Sequence, residues 1–518
     1  LAVIFSSPTC NEVIEAIQDY LPALYFAFSR GRTELLAEEL GREWDFLTSR
    51  EKRLVRQMIQ EAEENAPGLF SPRRQNLRRL LLQGIGYHHA GLPPLLKDLV
   101  ERLYESQLVY VLFCTETFAV GVNFPAASTV FDSCRKWDGQ EFRPLLNREF
   151  FQMAGRAGRR GYDEVGRVFV RIDERFPDQT GFYQEDGVEP VRGRLVISPN
   201  TVLSLLCWKT DAEIRRLLEK NLSVYQSTKE SRQLRQEVEK LENKAAELSR
   251  CFCPDRGQER CELYRVKLRK ELNQLKKSKY RHRADIKMRR QEIQILLQKG
   301  RKKCHYKACL DASRKIRRLE ERIHLLHKRL KQLNKHARDY VRDFESVWVL
   351  LEKLGYVRGR ELLPRGKFAL YIHVQEILVT ELVFSGILLE SPPVEVAAIL
   401  AGVDYQPGRD EQVSSPPFSL EKVEKLRRFL IESGVPEHFC IWSPLPAALA
   451  AAWYQGAGFE QLLEMTNLQE GDIFSIIRRE IDLLRQIERA AGEDRALAGL
   501  ARDIRRQLDR DEVAVVGV

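Results

Sequence analysis

The hydrophobic pattern of this 518-residue chain changes period once, and that change limits what it can fold into. Up to about Asp173, short apolar runs alternate with helical stretches. The runs are Leu24-Tyr25-Phe26-Ala27-Phe28, Leu108 to Phe113, Thr129-Val130-Phe131 and Val168-Phe169-Val170, with a helix marked by Leu35, Leu36 and Leu40 after the first. Apolar runs of this length predict buried strands, and strands alternating with helices predict an α/β domain with a mostly parallel sheet. In such sheets ligand-binding residues gather on loops past the carboxyl ends of the strands. From about Ser227 to Ser346 the period becomes that of a heptad. Leu234, Val238, Leu241, Ala245 and Leu248 repeat at four and three, as do Ile316, Leu319, Ile323, Leu326, Leu330 and Leu333. Two such seams predict an antiparallel helical hairpin, with turns around Cys253-Pro254 and Gly300.

Charge changes at the same place. Lys229 to Asp339 holds 35 Lys and Arg against 15 Asp and Glu, a net of +20, which leaves −10 for the rest of a chain whose total is +10. One segment therefore carries the basic character and is a candidate polyanion-binding arm. A solvated spacer, or an arm for an acidic protein face, fits the same composition. The ten cysteines are scattered without a dense framework, which favours a reducing, cytoplasmic setting. No apolar stretch is long enough to cross a bilayer, so no membrane partner is expected. After the heptads, Val347 to Leu354 reads as helix. Gly355-Tyr356-Val357 and Leu362-Leu363-Pro364-Arg365-Gly366 read as a short β-hairpin, and the remainder as helix with loops at Ser391-Pro392-Pro393 and Ser414 to Pro417.

Three segments of the α/β region carry chemistry. Gln152-Met153-Ala154-Gly155-Arg156-Ala157-Gly158-Arg159-Arg160-Gly161 puts two arginines three residues apart among glycines. Arginine keeps its charge and offers a rigid fork of donors that suits a phosphoryl group. Cys114-Thr115-Glu116-Thr117, followed by Gly121-Val122-Asn123-Phe124-Pro125, lies just past a strand, where Thr115 and Thr117 are candidate phosphate donors or, equally, a helix cap. Tyr87-His88-His89-Ala90-Gly91-Leu92-Pro93 precedes both; its histidines suit core or loop packing better than catalysis.

Together with Phe28-Ser29-Arg30, these segments in this order resemble the second RecA-like domain of superfamily 2 helicases, in the wording of the superkiller family of exosome-associated RNA helicases. The resemblance implies that Arg156 and Arg159 are arginine fingers for a γ-phosphate, with Gln152 helping to position the attacking water or coupling the site to nucleic acid. It implies nucleotide coupling at Gly121 and Asn123, and nucleic-acid contacts at Ser29, Arg30, Thr115 and Thr117. Gln375 to Leu389 and the stretch Glu470-Gly471-Asp472 to Leu483-Leu484-Arg485-Gln486 resemble the family's DSHCT region. A ratchet helix of about Gly471 to Ala490 is then implied, with Arg478, Arg479 and Asp482 facing the strand or, equally, paired with neighbouring groups.

The resemblance thus implies an α/β RecA-like domain followed by a mainly helical region. Its expected parts are a second RecA-like domain at 1–190, a winged helix split between 191–226 and 346–368, an inserted antiparallel coiled-coil stalk at 227–345, and a helical DSHCT ratchet bundle at 369–518. The stalk lacks the β-rich barrel that relatives often insert. A G-x-x-x-x-G-K-[ST] loop and a D-E-x-H element, which the family uses to hold ATP and magnesium, do not occur in the sequence. With Leu1 in place of Met, the expectation is the C-terminal half of a 3′ to 5′ RNA helicase, lacking its first RecA-like domain and inactive on ATP alone. A related DNA repair helicase and a non-catalytic nucleic-acid-binding scaffold are the alternatives. The expected partners are single-stranded or structured RNA and, through the stalk, an RNA-decay or ribosomal partner. Cys251, Cys253, Cys261, Cys304 and Cys309 with His305 cluster in the stalk at spacings unlike standard zinc sites, so free thiols come first and zinc second.

Overall fold

The computed structural model describes residues 7–66, 68–119, 124–138, 141–172, 189, 191–250, 261–277, 283–298, 306–336 and 339–514. They divide into two compact units, 1–191 with 198–208 and 348–518, and 192–197 with 209–347. The stretch 191–226 is shared between the two.

In the first unit, β1 (Ala23–Phe26), β2 (Ile85–His88), β3 (Val111–Cys114) and β4 (Ser128–Phe131) are followed by a small antiparallel pair, β5 (Arg135–Trp137) and β6 (Phe142–Pro144), and then by β7 (Arg167–Val170). Five of these form a parallel sheet in the order β2-β3-β1-β4-β7. Every residue of β1, β3 and β4 is buried, as expected of strands covered by helices on both faces. The flanking helices start where the sequence supplies caps. Ser29 Oγ accepts from Arg32 N–H at 3.2 Å to open Arg30–Leu40, and Thr48 with Glu51 forms a capping box for Ser49–Asn65. β2, an edge strand absent from the sequence reading, contains Gly86 and ends in His88, which mask its apolar character.

The rest of this unit is helical apart from one hairpin. β8 (Val357–Arg358) and β9 (Glu361–Leu362) pair across Gly359, which takes φ +58°, so the expected hairpin is present but shorter than expected: Pro364, Arg365 and Gly366 open the helix Pro364–Ala369 instead, where proline suits the first position. The helices Pro393–Ala401, Ala447–Tyr454, Glu470–Ala490 and Arg495–Leu508 pack around fully buried Trp453, whose indole N–H donates to Leu508 O at 2.8 Å. Pro393 is the first residue of its helix, where its missing N–H costs nothing.

In the second unit, Leu222–Arg250 and Tyr306–His336 run antiparallel. Arg322 reaches Glu237 and Arg329 reaches Glu230, so the pairing runs in opposite directions along the two helices. Leu234, Val238 and Leu330, with Ile323, Leu326 and Leu333, form the seam that the heptads predicted. A second hairpin, Glu262–Lys277 with Ala284–Gln298, has its own core of Leu268, Leu272 and Ile293. Cys253, Pro254 and Gly300, the expected turns, lie outside the described residues. Among the described residues no helix is long and apolar enough to cross a membrane.

Candidate nucleotide and nucleic-acid site

The parallel sheet presents two edges, and the chemistry-bearing segments divide between them. Ser29 and Arg30 follow β1, His89 follows β2 and Thr115 follows β3, so all of these lie at the carboxyl edge. The segment Arg156 to Gly161 does not. Ala126, just ahead of β4, donates its N–H to Arg156 O at 2.9 Å and accepts from Gly158 N–H at 2.8 Å. The expectation that all ligand residues gather at carboxyl ends therefore needs correcting. A segment that leads into β7 of a parallel sheet has to arrive at the amino edge. Glycine makes the arrival feasible: Gly158 takes φ +95°, and a Cβ on Gly166 would stand 2.3 Å from Ala157 O.

At the amino edge, Arg156 is half-buried and its guanidinium donates to Ala119 O. Arg159 closes a fork on Asp163, with Nε to Oδ2 at 2.8 Å and Nη2 to Oδ1 at 3.0 Å. Those bonds hold the Asp163 carboxyl down at about 2. Gln152 is exposed on the last turn of the helix Asn147–Ala154. Gly121 and Asn123 lie outside the described residues. The donor set is cationic, forked and partly shielded from water, which fits an anionic phosphoryl group; in this structure a carboxylate occupies the Arg159 fork.

The carboxyl edge is largely occupied by the chain itself. Arg30 makes a two-pronged pair with Asp472, at 2.6 and 3.0 Å, and a third bond to Gln469 at 2.8 Å. Arg74 Nε meets Glu470 at 2.7 Å, with both side chains nearly buried. Burial pushes the Glu470 carboxyl up, and Arg74 opposes that shift. Between the two pairs, Gly471 N–H donates to Gly91 O at 2.9 Å, and a Cβ on Gly471 would stand 2.2 Å from Ala90 O. The long helix Glu470–Ala490 is thus seated by its first turn on the sheet domain. His88 and His89 support this edge from beneath, bonded to Glu101 at 2.8 Å and Glu34 at 2.9 Å. Burial lowers the His88 imidazole against the pull of Glu101. Thr115 and Thr117 share a hydroxyl bond of 2.8 Å, and Ser29 is exposed as a helix cap.

Along the same helix, Ser475, Arg479, Asp482 and Arg489 are exposed, while Ile473, Ile477, Ile481 and Leu484 are buried. Arg478 lies over the Phe474 ring at 5.2 Å and Arg479 over Tyr405 at 5.8 Å; Asp482 accepts from Gln486 at 2.7 Å.

Sequence reasoning missed the β5–β6 hairpin and its anchor. Trp137 and Phe142 stand exposed, ring centroids 5.3 Å apart. Beneath them Lys136 bridges Glu116 at 2.6 Å and Glu149 at 2.9 Å, and Arg143 pairs with Glu149 at 2.8 Å. Burial raises Glu149, but its bonds to Arg143, Leu146 N–H and Lys136 outweigh that and bring it down to about 2. Glu116 therefore ties the hairpin to the Thr115–Thr117 segment, and Glu149 ties it to the first turn of the helix Asn147–Ala154 that leads into Arg156. Alternation of Arg, Lys and aromatics from 135 to 143 was the available signal. Among the described residues no cluster of three or more His, Cys, Asp or Glu fits a metal ion. Cys261 and Cys309 are buried free thiols, and Cys251, Cys253, Cys304 and His305 lie outside the described residues.

The sheet domain thus carries an arginine pair at one edge and a long helix seated on the other. Residues 50–161 match the helicase conserved C-terminal domain, and residues 359–515 match the DSHCT (NUC185) domain. The chain is 39% identical to the Superkiller complex protein 2 of Mus musculus over 217 residues, 41% of this chain and 17% of that protein. It is 34% identical to the Exosome RNA helicase MTR4 of Homo sapiens over 267 residues, 50% of this chain and 24% of that protein. Against the DExH-box ATP-dependent RNA helicase DExH11 of Arabidopsis thaliana it is 45% identical over 162 residues, 31% of this chain and 12% of that protein. The chain spans less than a quarter of the length of each of these relatives. It is similar to a C-terminal portion of the superkiller-type, DSHCT-containing superfamily 2 RNA helicases.

Proposed function

We propose that this chain is the C-terminal part of an ATP-dependent helicase that draws RNA in the 3′ to 5′ direction during processing or decay. The observation that carries the reading is the seating of Glu470–Ala490 on the carboxyl edge of a sheet whose amino edge holds Arg156 and Arg159. Such a sheet links a phosphate-facing edge to a strand-facing helix through rigid backbone. In this reading Arg159, pre-extended by Asp163, and Arg156 stabilise charge that develops on a transferring phosphoryl group, and Gln152 orients the water. ATP with magnesium, when bound, supplies that phosphoryl group, held mainly by a first RecA-like domain.

The exposed stripe with Arg479 and Asp482, and Arg478 beside it, faces the strand together with Ser29, Thr115 and Thr117. Arg30 contributes indirectly, by fixing the start of that helix. The exposed pair Trp137 and Phe142 offers ring faces for base stacking, and the β8–β9 region acts as the wing of a winged helix interrupted by the 209–347 unit. An RNA-decay or ribosomal partner docks on that unit.

The sequence contains no phosphate-cradling G-x-x-x-x-G-K-[ST] loop, so the 518-residue chain alone is expected to turn over no ATP. A coupled ATPase assay with and without RNA tests this. A baseline rate in both conditions agrees with the reading; RNA-stimulated turnover overturns it.

A further inference from the structure

The β8–β9 hairpin, the helix Pro364–Ala369 and the last turn of Glu470–Ala490 border a cleft of about 860 Å³ that lies wholly within the first unit. The buried part of its lining is carbon, from Leu206, Phe368 and Leu497. Its rim leaves large apolar side chains in water: Tyr371, Phe384 and Leu389 are 45%, 38% and 46% exposed. Apolar residues scattered singly over a surface need no explanation, but several around one concavity mark a place where something binds.

The lining is held in place. Phe384 meets Phe368 edge-on, ring centroids 5.9 Å apart, with the Arg365 guanidinium over it at 5.0 Å. Glu381 fixes Arg365 at 3.0 Å. Arg360, in the turn between β8 and β9, donates from Nη2 to Leu206 O at 2.9 Å and so joins the hairpin to the helix Pro199–Trp208. A cleft braced in this way loses little freedom when it is filled.

Its charges are uneven. Lys367 and Arg489 line the cleft, are exposed, and make no ion pair or side-chain hydrogen bond among the described residues. Of the two lining carboxylates, Asp494 accepts from the N–H groups of Ala496 and Leu497, both at 3.1 Å, as the cap of Arg495–Leu508. Glu361 is left against two unanswered cations and Arg360, so the cleft favours an anionic occupant. Two isolated cations beside an apolar lining do not suit a nucleic-acid backbone, which is bound by a track of many cations with stacking rings. They suit a peptide whose apolar side chains are flanked by Asp or Glu.

We propose that this cleft is a docking site for a short acidic peptide segment of a partner protein, with a large apolar side chain against Phe384 and Leu389 and carboxylates on Lys367 and Arg489. The proposal goes beyond the helicase reading, since such binding needs neither nucleotide nor RNA.

The test is a library of random short peptides displayed on phage, selected on the 518-residue chain and counter-selected on the variant L389D. The retained peptides are expected to join an aromatic or aliphatic residue to Asp or Glu within a few positions. In fluorescence anisotropy the best of them should bind L389D and K367E/R489E each about tenfold or more weakly than the parent. Phe429→Asp, at an exposed position on Glu421–Glu432 that does not line the cleft, should bind as the parent does. The same peptide with Lys for each Asp and Glu should prefer K367E/R489E to the parent, which separates charge from loss of folding. The proposal is overturned if counter-selection leaves no peptide, if those left carry no acidic residue, or if K367E/R489E binds the acidic peptide undiminished. It is overturned equally if an RNA oligonucleotide displaces the peptide, which makes the cleft part of a strand path. Self-association of the parent that L389D abolishes in sedimentation also overturns it, because the occupant is then a second copy.

Discussion

The seam at the carboxyl edge and the first stalk hairpin use the same chemistry, arginine on carboxylate, at opposite ends of the exposure scale. The Arg74 and Glu470 side chains are 8% and 13% exposed, whereas those of Arg322 and Glu237 are 66% and 41% exposed. In water the attraction between two charges is small, and holding long side chains together offsets most of it. Once both partners are buried, removing one strands the other without solvent, and the loss becomes large. Pairs of identical type therefore fix the position of a helix in one region and decorate a surface in the other.

The sharpest way to break this contrast is Arg74→Met, which leaves Glu470 buried and alone. It is expected to cost about 3–5 kcal/mol in denaturant unfolding of the first unit. Adding Glu470→Gln to that variant should recover a large part of the loss, because the stranded charge is then gone. If Arg74→Met unfolds at the parent's midpoint, the seam does not hold the helix. An intermediate effect is expected at the hairpin anchor, where Glu149→Gln should cost about 1 kcal/mol near neutral pH after allowance for solvent screening. Its pH dependence has a defined sign. The folded carboxyl sits at about 2 against an ordinary 4.5, so the parent's advantage is complete above 4.5 and shrinks as pH falls towards 2. Unfolding midpoints of parent and variant should converge over that window; a gap that widens on acidification contradicts the assignment. The smallest effect belongs to the stalk, where a double-mutant cycle on Arg329 and Glu230 should return about 0.3 kcal/mol and less in high salt. A coupling above about 1 kcal/mol would place the stalk pairs in the same class as the seam.

Local patterns carried much of the fold into the sequence. The four apolar runs correspond to β1, β3, β4 and β7, and the heptads to the seam of Leu234, Val238 and Leu330. Each signal lies within a few residues and depends on burial of one face. What escaped depends on distant partners or short elements. β2 is four residues with a glycine and a histidine, and β5 and β6 are three each. The second stalk hairpin has a core of only a few apolar residues among many lysines, too sparse for a heptad to show. At the site, the residue types were legible but not their arrangement. Nothing near Arg30 in sequence indicates that it meets Asp472, 442 positions away. Asp163 was within reach, four residues after Arg159, at a spacing where side chains can meet on a turn.

The contact of Arg74 with Glu470 spans 396 positions, and this separation has a consequence for biosynthesis. Chains are made at about 5–20 residues per second, so the sheet domain emerges about 20–80 s before the helix that covers its edge. Through that interval Arg30, Arg74 and the Gly91 carbonyl face solvent or whatever binds there first. A nascent chain in this state presents a cationic edge that the finished protein conceals, and its own residues Gln469 to Asp472 must later displace any occupant.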